Sequence, residues 1–207
     1  METKTLEEQL EELFNTPRMG HAALKPHNSV RGLYQLIKKH FKPEFEMVEL
    51  GSFQGTSTRL FALFVTKIHS IDCYCYHEPE PGTGPYLTQK DPEQWLKNFK
   101  QLFIDAEETF LNRTKRYTNI NKIKKKSVEA SKYFEDKSLD AVYIDAEHIY
   151  DYVLDDVRHW KGKIKDGGIL CGHDFSLPFI KEILEKEGVL NKLETYPDDS
   201  WSVIIKY

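Results

Sequence analysis

From Glu46 onward the chain alternates short apolar runs of strand length with stretches of helical spacing, and this rhythm restricts the fold more than any other feature. Strands are predicted at 47–50, 67–71, 120–124, 141–144, 169–171 and 202–205, with helices at 56–65, 91–111, 128–134, 152–164 and 177–187. Strands joined through helices run parallel, because a crossover must carry the chain back to the same end of the sheet. The expected class is therefore α/β: a Rossmann-like, doubly wound, mostly parallel sheet with helices on both faces. Asp91-Pro92-Glu93 opens the longest helix well, with Asp as cap and Pro in the first turn.

Upstream of this rhythm, Thr5-x-x-Glu8 has the form of a capping box. Leu6, Leu10, Leu13 and Phe14 follow at helical spacing, and Pro17 is expected to end the helix. A loop with His21 and Pro26 leads to a second helix over 28–40, with Val30, Leu33, Tyr34, Ile37 and Phe41 on one side. Residues 1–42 thus read as a helical extension that contacts substrate or forms a lid, and 43–207 as one cofactor-binding domain. A chain of 207 residues buries roughly 70% of its unfolded surface and needs no disulfide staples. Its three cysteines, an odd number, suit a reducing compartment. The first residues lack the basic start and apolar core of a signal peptide, and no apolar run reaches the roughly 20 residues of a membrane span. A soluble cytoplasmic protein is expected. The net charge of −4 disfavours nucleic acid as the main partner.

The strongest local signal is Val48-Glu49-Leu50-Gly51-Ser52-Phe53-Gln54-Gly55-Thr56-Ser57, a strand running into Gly-x-x-x-Gly at a helix start. Glycines there permit a tight turn and close approach to a ligand. Phe53 stands where a dinucleotide motif has its second glycine, which disfavours a pyrophosphate and so NAD or FAD. A nucleoside ligand without phosphates fits; a plain strand–helix turn is the alternative. About twenty residues on, the next strand ends in Ile71-Asp72, where an acidic residue can accept hydrogen bonds from ribose hydroxyls.

Two later strands end in ionisable residues. The first delivers Asp145, Glu147 and His148, and the second delivers His173 and Asp174. If the strands are neighbours, Asp145 and Asp174 emerge roughly 5 Å apart sideways. Like charges so placed need a partner. A hard divalent cation is one solution, and hydrogen bonds to loop amides or to Arg and Lys are another.

The order Glu-x-Gly-x-x-x-Gly-x-Ser, Ile-Asp, Leu-Asp-x-x-x-Ile-Asp-x-x-His-x-Tyr, Gly-Gly-x-x-x-Gly-His-Asp resembles that of class I S-adenosylmethionine-dependent methyltransferases. More narrowly, it is similar to the branch with macrocin-type sugar O-methyltransferases and cephalosporin hydroxylase-like proteins. The likeness covers about 46–175. It implies a seven-stranded sheet of order 3-2-1-4-5-7-6 and the cofactor S-adenosylmethionine. Glu49, Gly51 and Gly55 would line the methionine moiety, with Ser52, Thr56 and Ser57 in the same turn. Asp72 would hold the ribose and Ser127 would lie near the adenine, with Asp145 beside the cofactor. Metal-dependent members imply Mg²⁺ or Mn²⁺ at Asp145, His173 and Asp174, although an acidic residue often stands where this chain has His173. His148 matches the general base of some relatives, with Glu147 beside it as the other catalytic candidate.

The expected activity is methyl transfer to a hydroxyl of a small acceptor, of sugar or phenolic type. The rivals are a nucleoside-binding module without catalysis and an RNA methyltransferase. The latter would use 113–126, which carries seven basic residues and no acidic one; its plainer reading is a solvated face leading into an edge strand. Homo-oligomerisation is left open. Cys73-Tyr-Cys75-Tyr-His77 is spaced too tightly for an ordinary zinc site. The Pro/Gly-rich 77–90 segment is either a substrate loop or a surface connection, and Tyr86, Trp95 and Trp201 are either stacking platforms or packing.

Overall fold

The computed structural model describes residues 4–18, 29–76 and 91–207. The His21/Pro26 loop, the start of the second predicted helix, His77, Tyr86 and the rest of 77–90 lie outside them.

Seven strands form one sheet: β1 (Glu46–Leu50), β2 (Lys67–Ile71), β3 (Ile120–Ile123), β4 (Leu139–Ile144), β5 (Ile164–Gly172), β6 (Glu194–Thr195) and β7 (Trp201–Ile204). Their order is β3-β2-β1-β4-β5-β7-β6, as the resemblance implied. β1 to β5 pair in parallel, while β7 lies antiparallel to both β5 and β6. Winding reverses between β1 and β4, so a crevice for ligands opens at their carboxyl ends.

The helices are α1 (Leu6–Phe14), α2 (Arg31–His40), α3 (Thr56–Ala62), α4 (Pro92–Ile104), α5 (Ala106–Thr114), α6 (Ser127–Ala130), α7 (Tyr150–Trp160) and α8 (Pro178–Lys186). Strand alternation divides the core in two. Val48, Leu50, Val142 and Ile144 pack on one face against Val157, Trp160, Ile183 and Leu184. Met47, Ala141, Tyr143 and Ile169 pack on the other against Leu13, Leu33, Ile37 and Phe61. The helices preceding β1 therefore cover a sheet face and share its core.

The Thr5–Glu8 capping box forms in both directions, and α1 stops at Asn15, two residues before Pro17. Asp91 caps α4 by accepting from the Gln94 amide. One prediction is corrected: the single helix over 91–111 is two, parted at Asp105. α4 buries no residue, whereas α5 buries Ala106, Phe110 and Thr114 beside Gly55, so packing on the turn after β1 redirects the chain. β5 also begins five residues early, because the polar stretch Lys165–Gly168 continues the strand through an irregular register against β4. β3 is the sheet edge that the basic segment was expected to enter, and Lys122 and Lys124 there both pair with Glu107.

Candidate active site

The turn after β1 is fixed by its neighbours. Gly51 N donates to Ile71 O (2.9 Å) and Asp145 N donates to Leu50 O (2.9 Å), tying β1 to β2 and β4. Gly51 has φ +83°, and a Cβ on it would fall 2.0 Å from Asp145 O. No side chain fits that space, so the backbone passes where only glycine can. Gly55 at φ +77° starts α3, with Ser52, Thr56 and Ser57 buried around it. Asp72, at the end of β2, accepts from Phe53 N (2.8 Å) and Tyr74 N (2.6 Å). The acid is thus docked on the glycine turn. Burial raises its pKa, against the pull of those two amides.

Glu49 is fully buried beneath the turn. It accepts from Ser57 Oγ (2.5 Å), Thr58 Oγ1 and Ser70 Oγ (3.3 Å). Burial pushes its pKa up to about 7 despite the hydroxyl donors. Ser127 opens α6, and its Oγ accepts from the Trp160 indole (2.8 Å), which commits that hydroxyl to helix packing.

Parallel pairing of β4 and β5 sets Ile144 beside Gly172, so Asp145 and His173 leave the sheet together. Arg18 Nη1 lies 2.7 Å from Asp145 Oδ2 and 2.9 Å from Tyr143 Oη, with Nη2 3.6 Å from Asp198. The other oxygen of Asp145 faces His148 Nε2 at 3.5 Å. His148 Nε2 is also 2.8 Å from Asp174 Oδ2, and His173 Nδ1 lies 3.1 Å from the same oxygen. Asp174 Oδ2 is buried, with these two imidazole nitrogens as its near neighbours. His173 Nε2 is held by Asp198 O at 2.6 Å. Among the described residues, ligand atoms of Asp145, His148 and Asp174 lie within 4.8 Å of one another. His148, expected as a base, thus converges with the two carboxylates, and His173, expected as a ligand, turns Nδ1 toward both carboxylates while its Nε2 is held by Asp198 O.

The charges follow from this geometry. Loss of hydration opposes an imidazolium at His148, but Asp145 and Asp174 outweigh it and raise the pKa to about 10. Burial works against an ionised Asp174, and the two imidazoles more than offset it, holding the carboxyl far below its usual range. Glu147 is exposed on the rim of the cleft that His148 and Asp174 line. Trp201 is packing: its indole donates to His173 O (2.9 Å) and it fills the space above Gly172. Trp95 stacks on Phe99 at 4.9 Å. Cys73 and Cys75 are free thiols.

Arg18, Asp198 and Thr58 were not singled out from the sequence. Their partners are remote in the chain, and no local spacing marks them. Tyr143 was legible in principle, because it stands two residues before Asp145 and so shares its face of the strand.

A crevice at the winding reversal, a glycine turn, an acid after β2 and a cluster after β4 and β5 define a Rossmann-like methyltransferase fold. A family described as "Methyltransferase domain" matches residues 48–175, and the chain belongs to it. No curated protein matches significantly. Solved structures with the same fold include an rRNA methylase from Streptococcus thermophilus, 13% identical over 89% of this chain and 98% of that one, with TM-score 0.56. A precorrin 8w decarboxylase from Methanobacterium thermoautotrophicum is 17% identical, covering 93% and 96%, at 0.55. Aeropyrum pernix fibrillarin with bound S-adenosyl-L-methionine is 14% identical, covering 84% and 73%, at 0.52. Among the described residues no helix is long and apolar enough to cross a membrane.

Proposed function

We propose that the chain transfers the methyl group of S-adenosylmethionine to a hydroxyl oxygen of a small sugar or phenolic acceptor, with Mg²⁺ or Mn²⁺ held by Asp145 and Asp174. The observation that carries this reading is the convergence of Asp145, His148 and Asp174 at the carboxyl ends of β4 and β5, their ligand atoms within 4.8 Å of one another. Arg18 and His148 balance the two carboxylates in this structure, and a hard divalent cation between the carboxylates would take the place of the His148 proton. The Gly51–Gly55 turn and Asp72 at the adjoining crevice suit the nucleoside of the methyl donor, which fits the fibrillarin complex with that compound.

In the transfer, the C–S bond of the sulfonium breaks as a C–O bond to the acceptor forms, leaving S-adenosylhomocysteine. A divalent cation, when bound, supplies Lewis acidity that lowers the pKa of the acceptor hydroxyl and draws His148 toward its neutral form. His148 Nε2 takes the hydroxyl proton. Asp174 steadies the resulting imidazolium, His173 positions Asp174, and Arg18 fixes Asp145. Glu147 stands on the rim, where it meets the acceptor rather than the proton in flight.

The test follows S-adenosylhomocysteine release over a panel of vicinal diols and catechols, with Mg²⁺, with Mn²⁺ and with EDTA. Turnover that EDTA abolishes and Mg²⁺ restores is expected. Full activity after exhaustive chelation would remove the cation from the account. Release with amine acceptors alone would remove the hydroxyl.

A further inference from the structure

A second cleft, of about 450 Å³, lies between α1, α3 and α5, apart from the Asp145–Asp174 cluster. Its wall carries Lys4, Arg59, Arg113, Lys115 and Arg116 against the carboxylate of Glu12. Glu12 is already engaged, forming ion pairs with Lys4 and Arg59. Those partners overcome burial and hold its pKa down at about 2, so it stays ionised and neutralises only part of the charge.

Lys4, Lys115 and Arg116 are exposed, whereas Arg59 is buried and Arg113 half-buried. Arg59 is 4% exposed, and its Nε is buried without an acceptor. Arg113 lies in the same wall, where its Nη1 reaches only long contacts: Gln54 Oε1 at 3.3 Å, with Gln54 O and Thr56 Oγ1 at 3.5 Å. Burial first, and then the charge of Arg59, lower the Arg113 pKa. Among the described residues Glu12 pairs with Arg59 but Arg113 forms no ion pair, so two guanidiniums that repel each other share one carboxylate at this half-buried wall. Guanidiniums suit phosphate because their planar donors match its oxygens. The volume falls within the range of small-molecule sites.

We propose that this cleft binds a small phosphorylated molecule, through the phosphate or diphosphate that Arg59 and Arg113 face. Arg113 also touches Gln54 and Thr56 in the turn after β1. A nucleic-acid strand is the weaker occupant. Lys122 and Lys124, which would extend a track, are bound to Glu107. The inference stands whether or not the hydroxyl-methylating assignment holds, because it is read without methyl donor or acceptor.

The experiment is calorimetric titration of the full chain with inorganic pyrophosphate at low salt, with single-stranded oligonucleotide as a second arm. One-to-one binding that Arg113→Gln weakens at least tenfold, and Arg116→Gln also weakens, is expected. Arg113→Gln is surface-accessible enough to leave folding intact, which far-UV circular dichroism checks. Arg59→Lys gives an independent reading, since it keeps the charge but loses the fork and should weaken pyrophosphate. Absence of saturable heat, or binding indifferent to both Arg113→Gln and Arg116→Gln, would overturn the proposal. So would oligonucleotide binding that pyrophosphate cannot displace.

Discussion

Arg18 donates from Nη1 to Asp145 Oδ2 across 2.7 Å, joining the segment after α1 to the carboxyl end of β4 over 127 residues of chain. Both side chains are largely buried, and Asp198 lies 3.6 Å from the same guanidinium. Removing one member of such a pair strands the others. Arg18→Met is expected to cost about 3 kcal/mol or more in urea unfolding, because Asp145 and Asp198 lose their cation. A loss below about 1 kcal/mol would mean that the pair is open to solvent and does not fix Asp145.

Gly51 and Gly167 both have φ near +80°, but their surroundings differ. A Cβ at Gly51 would strike Asp145 O, while one at Gly167 would meet nothing within 4 Å. Gly167→Ala should therefore cost only the left-handed backbone strain, about 1–2 kcal/mol. Gly51→Ala should cost clearly more, and any folded fraction should lose affinity for the methyl donor. Equal costs in thermal unfolding would show that the β1–β4 approach relaxes easily.

Glu49 gives a pH-dependence of defined sign. Its ordinary pKa of 4.5 rises to about 7 in the folded chain, chiefly through burial. Between those values the folded state holds a proton that the unfolded state has released. Stability from this group is therefore present below pH 4.5 and is lost as pH rises toward 7, on the order of 3 kcal/mol in all. Glu49→Gln should remove that slope, so the difference between variant and parent grows in the variant's favour from pH 5 to pH 7.5. A difference independent of pH would place the Glu49 carboxylate in water.

His148→Ala should lower methyl transfer by roughly 10²–10⁴-fold while leaving affinity for S-adenosylhomocysteine nearly unchanged. The acidic limb of the pH–rate profile should vanish with it. Near-normal turnover with the limb intact would pass proton removal to Glu147. Lost folding would make His148 a bridge between Asp145 and Asp174 and nothing more.

The sheet was legible because β1, β2, β4 and the core of β5 are short apolar runs, and their parallel pairing follows from the helices between them. β6 was not, since Glu194 and Thr195 show no periodicity and pair only with β7. Asp72, Asp145 and Asp174 could be found because strand ends in a wound sheet converge on one edge. What the chain order did not disclose is that both histidines meet Asp174 Oδ2. His173 does so with its other ring nitrogen held by Asp198 O, a carbonyl 25 residues away. Arg18 was hidden for the same reason, as a lone arginine after a short helix whose partners are set by tertiary packing alone.

The Gly51–Gly55 turn and Asp72 form the crevice assigned to the nucleoside of the methyl donor. Isothermal calorimetry of the full chain with S-adenosylhomocysteine, with NAD and with Asp72→Ala tests this assignment most directly. One-to-one binding of S-adenosylhomocysteine, no heat with NAD, and roughly 1–3 kcal/mol weaker binding in Asp72→Ala are expected. No heat with S-adenosylhomocysteine, or an equal response to NAD, would contradict it.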